Sequence, residues 1–277
     1  MNMDCHWHTS GRESPAEIAR AIDAAGIDRA VLFAPYYESG EELPGMPIAE
    51  ANAWVARVAS QLPDRVIGFG WIEPTSPGAV AEVERCVNDL HLRGFKMMPN
   101  HWYPFDEAIF PVYAKIEEVG VPVIFHSGVL YGYMDGSRFC RPVFYEALLH
   151  FPRLRFALSH VGWPWVDECL AVFGHFRNQW YAYRNLRPEV VEIQMYVDLT
   201  QGIPDFRRAQ ALCDTVACVD VDHLIWGSDA TPGDPQRASQ LLQGDRRILQ
   251  ERAGLPPDSL AAIFGGNLQR FLGPSGL

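Results

Sequence analysis

Apolar runs rich in β-branched and aromatic residues recur along the chain, and segments with a 3.6-residue hydrophobic period separate them. The runs cover residues 2–8, 30–34, 66–72, 94–98, 122–126, 155–160, 194–200 and 224–228, and each predicts a strand. The first helix opens at Ser14-Pro15-Ala16-Glu17, where serine can cap and proline suits the first helical position, and closes at Gly26. Further helices are predicted over 48–62, 79–90, 105–119, 143–149, 166–176, 206–219 and 235–250, with a closing pair at 257–264 and 267–272. Strict alternation of strand and helix implies parallel strands joined by right-handed crossovers. A doubly wound sheet and a closed barrel both satisfy that rule. Eight units in about 250 residues favour an α/β fold of the (β/α)8 TIM-barrel type, here with a C-terminal helical extension. No linker, repeat or low-complexity tract divides the chain, so one domain over 1–277 is expected. The two loops of most irregular composition, 36–47 and 127–142, would follow strand C-terminal ends, where barrel enzymes build their sites.

Composition narrows the partners. With 48% hydrophobic and 21% charged residues in 277, the chain is an ordinary globular one, long enough to bury a sizeable core. A net charge of −11, with no basic block longer than a pair, argues against a nucleic-acid surface. The longest apolar runs, such as 121–125, fall far below the roughly 18 residues that suggest a membrane span. The N-terminus shows neither a basic nor an apolar leader region, and the six cysteines form no C-x-x-C pair. Reduced thiols, a cytoplasmic setting and a small-molecule substrate are therefore expected, with a homo-oligomer left open.

The first strand carries the strongest chemical signal. Met1, Met3, Cys5 and Trp7 alternate with Asn2, Asp4, His6 and His8, which predicts apolar side chains packed outward and polar ones pointing into the lumen. Two imidazoles two residues apart on one face can share a metal ion; the plain alternative is two exposed histidines near a terminus. His126, His160 and Asp229 shift the balance, because each ends an apolar run at its C-terminal tip. Nitrogen and oxygen ligands of this kind suit Zn²⁺, with Mn²⁺ or Fe²⁺ compatible.

Those residues also carry a family likeness. Asp4-Cys5-His6-Trp7-His8, Gly94-Phe95-Lys96-Met97, Val123-Ile124-Phe125-His126-Ser127-Gly128, Leu158-Ser159-His160-Val161-Gly162, Trp226-Gly227-Ser228-Asp229 and Gly266-Asn267-Leu268-Gln269-Arg270-Phe271-Leu272-Gly273 resemble, in order, the motifs of the amidohydrolase superfamily. The likeness is to its amidohydrolase-2 branch, which includes aminocarboxymuconate-semialdehyde decarboxylase, related aromatic-acid decarboxylases and pyrone-dicarboxylate lactonase. It implies a (β/α)8 barrel with one divalent metal ion. His6, His8 and His126 match the metal-binding histidines, and Asp229 matches the aspartate after the eighth strand. His160 matches a histidine that contacts substrate or the reactive water, and Asp4 sits behind the ligands.

Other residues invite a role beside a bland reading. Lys96 ends the fourth strand, where distant superfamily members carry a lysine that bridges two metals, although lysines in this branch do not usually do so. Arg138 and Arg141 could anchor a substrate carboxylate or form local salt bridges. His101 could touch substrate from its loop, and Trp163, Trp165, Tyr131 and Tyr133 could wall it. Asp198, His91, His150, His175 and His223 read as structural, with His91, His150 and His175 placed on helices and His223 before its strand. No G-x-G-x-x-G, P-loop, G-x-S-x-G or H-E-x-x-H motif is present. The expected function is hydrolysis of a small carboxylated or cyclic ester or amide by metal-activated water. In that scheme Asp229 moves the proton and His160 stabilises the oxyanion. Non-oxidative decarboxylation of an aromatic or dienoic acid is the alternative, and a silent binding barrel a second one.

Overall fold

The computed structural model describes residues 1–35, 46–132, 135–186, 189 and 192–273. Most of the irregular loop at 36–47, and Tyr133 of the expected aromatic wall, lie outside them. Eight parallel strands run in sequential order: β1 (Met3–Trp7), β2 (Arg29–Phe33), β3 (Val66–Trp71), β4 (Phe95–Met97), β5 (Val123–Phe125), β6 (Phe156–Leu158), β7 (Met195–Asp198) and β8 (Leu224–Ile225). A bridge between Trp7 and Ala230, with bonds from Cys5 N to Trp226 O (3.0 Å) and His8 N to Ala230 O (2.9 Å), brings the last strand back to the first. The expected (β/α)8 barrel is the observed one.

The helices are α1 (Pro15–Ala25), α2 (Ile48–Gln61), α3 (Ala79–Asn88), α4 (Phe110–Val119), α5 (Val166–Tyr183), α6 (Asp205–Cys218), α7 (Pro235–Arg247), α8 (Pro257–Ala261) and α9 (Asn267–Leu272). α1 forms as its sequence predicts. Ser14 Oγ accepts from Glu17 N, and the Glu17 carboxylate reaches back to Ser14 N at 2.8 Å. That reciprocal cap is worth about 1 kcal/mol. Between β5 and β6 the expected helix over 143–149 is instead a run of 3₁₀ turns, Pro142–His150. The carbonyls of Leu148, Phe151 and Leu154, at and beyond its end, converge on the Gln194 amide. β8 is shorter than expected: beyond Ile225 the Ser228 amide bonds to the Asp4 side-chain carboxylate of β1 (3.0 Å), not to a strand carbonyl.

Two apolar layers result. Leu32, Val66, Phe95, Val123, Leu158 and Trp226 pack outward against the helices. Val31, Phe33, Ile67, Phe69, Ile124, Tyr196 and Ile225 fill the lumen, where Leu268, Phe271 and Leu272 of α9 join them. The Phe271 ring lies 5.0 Å from that of Tyr196. The C-terminal extension thus belongs to the same cluster as the barrel interior, and the polar chemistry gathers at the opposite, C-terminal ends of the strands. Among the described residues no helix is long and apolar enough to cross a membrane.

Candidate metal centre

β1 does not keep simple alternation. Met3 and Cys5 belong to the lumen cluster, whereas Trp7 packs outside with the helices and its indole donates to Asp4. The register between β1 and β2 shifts between Asp4 and Trp7, and an extra residue in a strand resets which face the following side chains take. The expectation that all of Met1, Met3, Cys5 and Trp7 point outward is therefore corrected. His6 still ends in the lumen, and it does so because of the shift. Its ring lies 4.8 Å from that of Phe33 and 5.3 Å from that of His160. Asp4, fully buried, accepts from His6 N (2.9 Å) and Ser228 N (3.0 Å), so it ties the two strand tips together. Burial pushes its carboxyl up to about 7 against those hydrogen bonds.

At the strand tips one ligand atom each from His6, His160 and Asp229 lies within 4.8 Å of the others. His6 Nε2 is 3.4 Å from Asp229 Oδ1, and His8 Nε2 is 3.1 Å from the same oxygen. His6 Nδ1 meets Asp198 Oδ2 at 2.7 Å, with both side chains buried. A carboxylate only accepts, so His6 carries its proton on Nδ1 and turns the Nε2 lone pair to the site. His160 is oriented in the same way, because its Nδ1 donates to the Gln201 carbonyl. Burial lowers the pKa of His6, with the Lys96 charge adding to it, and burial also lowers that of His160. Although burial alone would raise Asp229, the His8 hydrogen bond and the imidazoles of His160 and His6 hold it below the ordinary carboxylate range. Two neutral imidazoles and an ionised carboxylate are in the protonation states that ligation requires.

The local backbone makes these positions available. His160 and Asp229 both take left-handed conformations, φ 59° and φ 60°, which are sparsely populated by side-chain-bearing residues and gather at functional sites. A Cβ at Gly227 would come within 2.7 Å of His6 Cβ and 2.5 Å of Thr200 Oγ1, and one at Gly202 within 2.7 Å of His160 Nδ1. Only glycine lets both loops close on the histidines.

The structure distributes the other expected residues unevenly. The His126 ring lies 5.0 Å from that of His160, but its Nε2 donates to the Val129 carbonyl at 3.2 Å, which leaves Nδ1 as the free lone pair. Arg141 pairs with Glu168 and stands over the Trp165 ring, and Arg138 pairs with Asp135 at 3.1 Å. His101 is exposed and bonds to Asn100 and Thr75. Trp163 is half-buried and Tyr131 exposed. His91, expected on a helix, lies in the connection after α3 with φ 55°.

Two residues emerge that residue-by-residue reading undervalued. Asp198, taken as structural, is the partner that orients His6. Lys96 is 1% exposed, with Nζ 3.3 Å from His6 Nε2 and 3.1 Å from Ser159 Oγ. Burial brings its ammonium down to about 8, while Asp198 and Asp229 oppose that shift. A charged or polar residue inside the apolar register of β4 and β7, where Phe95 and Met97 or Met195 and Val197 face outward, was the available signal.

Comparison with known proteins gives the fold and the family. The chain is 30% identical over 173 residues to a 2-keto-4-carboxy-3-hexenedioate hydratase of a Sphingobium species, a match covering 52% of this chain and 50% of that protein. It therefore spans about half the length of this curated relative. Two solved structures share the fold over nearly the whole chain. One is the 2,6-dihydroxybenzoate decarboxylase from Rhizobium (TM-score 0.67, 16% identity, 98% of each chain). The other is a manganese-bound 5-carboxyvanillate decarboxylase from Novosphingobium aromaticivorans (TM-score 0.64, 15% identity, 98% of this chain and 97% of that one). The model of the amidohydrolase family, Amidohydro_2, matches residues 3–273, from the first strand to the last helix, and this chain belongs to that family.

Proposed function

We propose that the protein is a divalent-metal-dependent enzyme that uses an activated water on a small carboxylated substrate. The observation that carries this reading is the convergence of His6, His160 and Asp229, with two imidazole lone pairs aimed inward by Asp198 and Gln201. His6, His160 and Asp229 would hold the ion, with His8 beside Asp229 and His126 able to join through Nδ1. An ion bound there supplies a water of lowered pKa and polarises a carbonyl. Zn²⁺ and Mn²⁺ both suit such a donor set.

The chain's own groups divide the remaining work. Asp229 is kept ionised, so it can take a proton from water, and its bond to half-exposed His8 offers that proton a way toward solvent. His160 cannot donate from Nε2 while Nδ1 bonds to a carbonyl, so it does not stabilise an oxyanion in this tautomer. Lys96 takes that part, as a buried ammonium that turns its N–H donors toward developing negative charge.

Among water reactions, hydration of a double bond conjugated to a carbonyl is favoured by the hydratase relative, and ester or amide hydrolysis uses the same water on another carbon. Decarboxylation is the second reading, supported by the decarboxylases that share the fold. A panel of unsaturated keto acids, lactones and hydroxybenzoates, assayed with Zn²⁺, Mn²⁺ or chelator, separates them. Loss of conjugated absorbance without CO₂ release is expected. Chelator-insensitive turnover would overturn the metal assignment, and CO₂ release would move the enzyme to the second reading.

A further inference from the structure

A second pocket lies at the other end of the barrel. Arg29 opens β2, Arg93 precedes β4 by two residues, and both line a pocket of about 250 Å³ together with His91. Its remaining walls include Ala56, Ala59, Val66 and Leu90, so a cationic rim surrounds an apolar floor. The volume sits just below the ~300–1,000 Å³ span of small-molecule sites. Arg29 is separated from Phe33, which packs on His6, by four residues of strand, a rise of about 13 Å. This pocket is therefore separate from the candidate metal centre.

The electrostatics of the pocket are unbalanced. Arg29 Nε and Arg93 Nη2 are buried without a hydrogen-bond partner among the described residues, and Arg29 Nη2 makes a long, 3.5 Å contact to the Pro63 carbonyl. Neither arginine pairs with an acid among the described residues. Arg65, nearby in sequence, is neutralised by Asp23 at 2.7 Å, and Arg85, Arg153, Arg177 and Arg208 are likewise paired. Arg93 feels both its own burial and the charge of Arg29, which together weaken its hold on its proton. Two neighbouring guanidiniums that no acid neutralises among the described residues repel each other, and their other N–H groups are open to the oxygens of an anion in the pocket.

We infer that the pocket of Arg29, Arg93 and His91 binds a small organic oxyanion, a carboxylate or phosphate head on a short apolar body. The guanidinium forks match two oxygens of such a head, and the aliphatic floor takes the body. Calorimetric titration of the full chain at fixed ionic strength tests this with phenyl phosphate, benzoate and inorganic phosphate. Phenyl phosphate or benzoate is expected to bind, the tighter one identifying the head group, and inorganic phosphate more weakly than phenyl phosphate because it leaves the apolar floor uncovered. Arg93→Met should weaken binding by about 10–100-fold, the scale of one charge-assisted hydrogen bond. Ala56→Phe should abolish binding by filling the pocket while keeping both arginines. Metal content should stay at the wild-type level in both variants. Affinities that neither substitution changes would overturn the proposal, as would the absence of binding by any probe. If Arg93→Met does not fold, Ala56→Phe decides alone.

Discussion

The orientation of His6 by Asp198 offers the sharpest test of the metal centre. Asp198 is fully buried and accepts from His6 Nδ1 at 2.7 Å, from Thr200 N at 2.8 Å and from Thr200 Oγ1. Asp198→Asn keeps the volume and one acceptor oxygen, which the two Thr200 bonds hold in place. Its amide nitrogen is then left facing His6, and an N–H group there forces the imidazole proton onto Nε2. A protonated Nε2 cannot ligate, so binding must pay for the reversed tautomer. Partners that orient a ligand histidine are typically worth 10–100-fold in metal affinity, which is about 1.4–2.7 kcal/mol. The assay is competitive titration of metal-free protein with Mn²⁺ against a chromophoric chelator, paired with far-UV circular dichroism to show an unchanged fold. Wild-type affinity in folded Asp198→Asn would refute the argument that Asp198 aims His6 at an ion.

Lys96→Met should stabilise the metal-free protein at pH 7 by roughly 3 kcal/mol while lowering activity, because an ammonium brought from 10.5 down to about 8 is charged at that pH in both folded and unfolded chains, at a burial cost. Between pH 8 and 10.5 the unfolded chain binds more protons, so wild-type stability rises there and the advantage of Lys96→Met shrinks; urea melts at pH 7 and 10 would show it, and a pH-independent difference would count against it. Arg208→Met should cost about 3–5 kcal/mol in the same melts, since it leaves Asp245 buried beside Trp226 without its cation and frees the Leu199 carbonyl next to Asp198. His160→Asn should lose metal and with it activity, by about 10²–10³-fold in kcat; a folded variant that keeps its metal would move His160 from the ion to the substrate. His6→Asn is expected to lose metal and activity together.

Periodicity alone determined the strand–helix order, and with it the barrel, because eight apolar runs each separated by an amphipathic helix leave few other topologies. It also placed His126, His160 and Asp229 at strand tips, since an apolar run that ends in a polar residue marks where a buried strand emerges, while His6 and His8 stood out by their two-residue spacing. What it could not determine was orientation. Strict alternation sends Asp4 and His6 to the same face, and only the register shift between Asp4 and Trp7 puts Asp4 outside with the indole and His6 inside with the ions' donors. Likewise, Asp198 and Gln201 stand far from His6 and His160 in sequence, so their hydrogen bonds, and hence the tautomers, exist only once β7 is packed between β6 and β8 and the barrel closes on β1. The engagement of Arg141 with Glu168, 27 residues away, has the same origin. Local pattern is set by side-chain chemistry and strand pleat, whereas pairing between distant charges and the direction of a lone pair depend on which strands close the barrel.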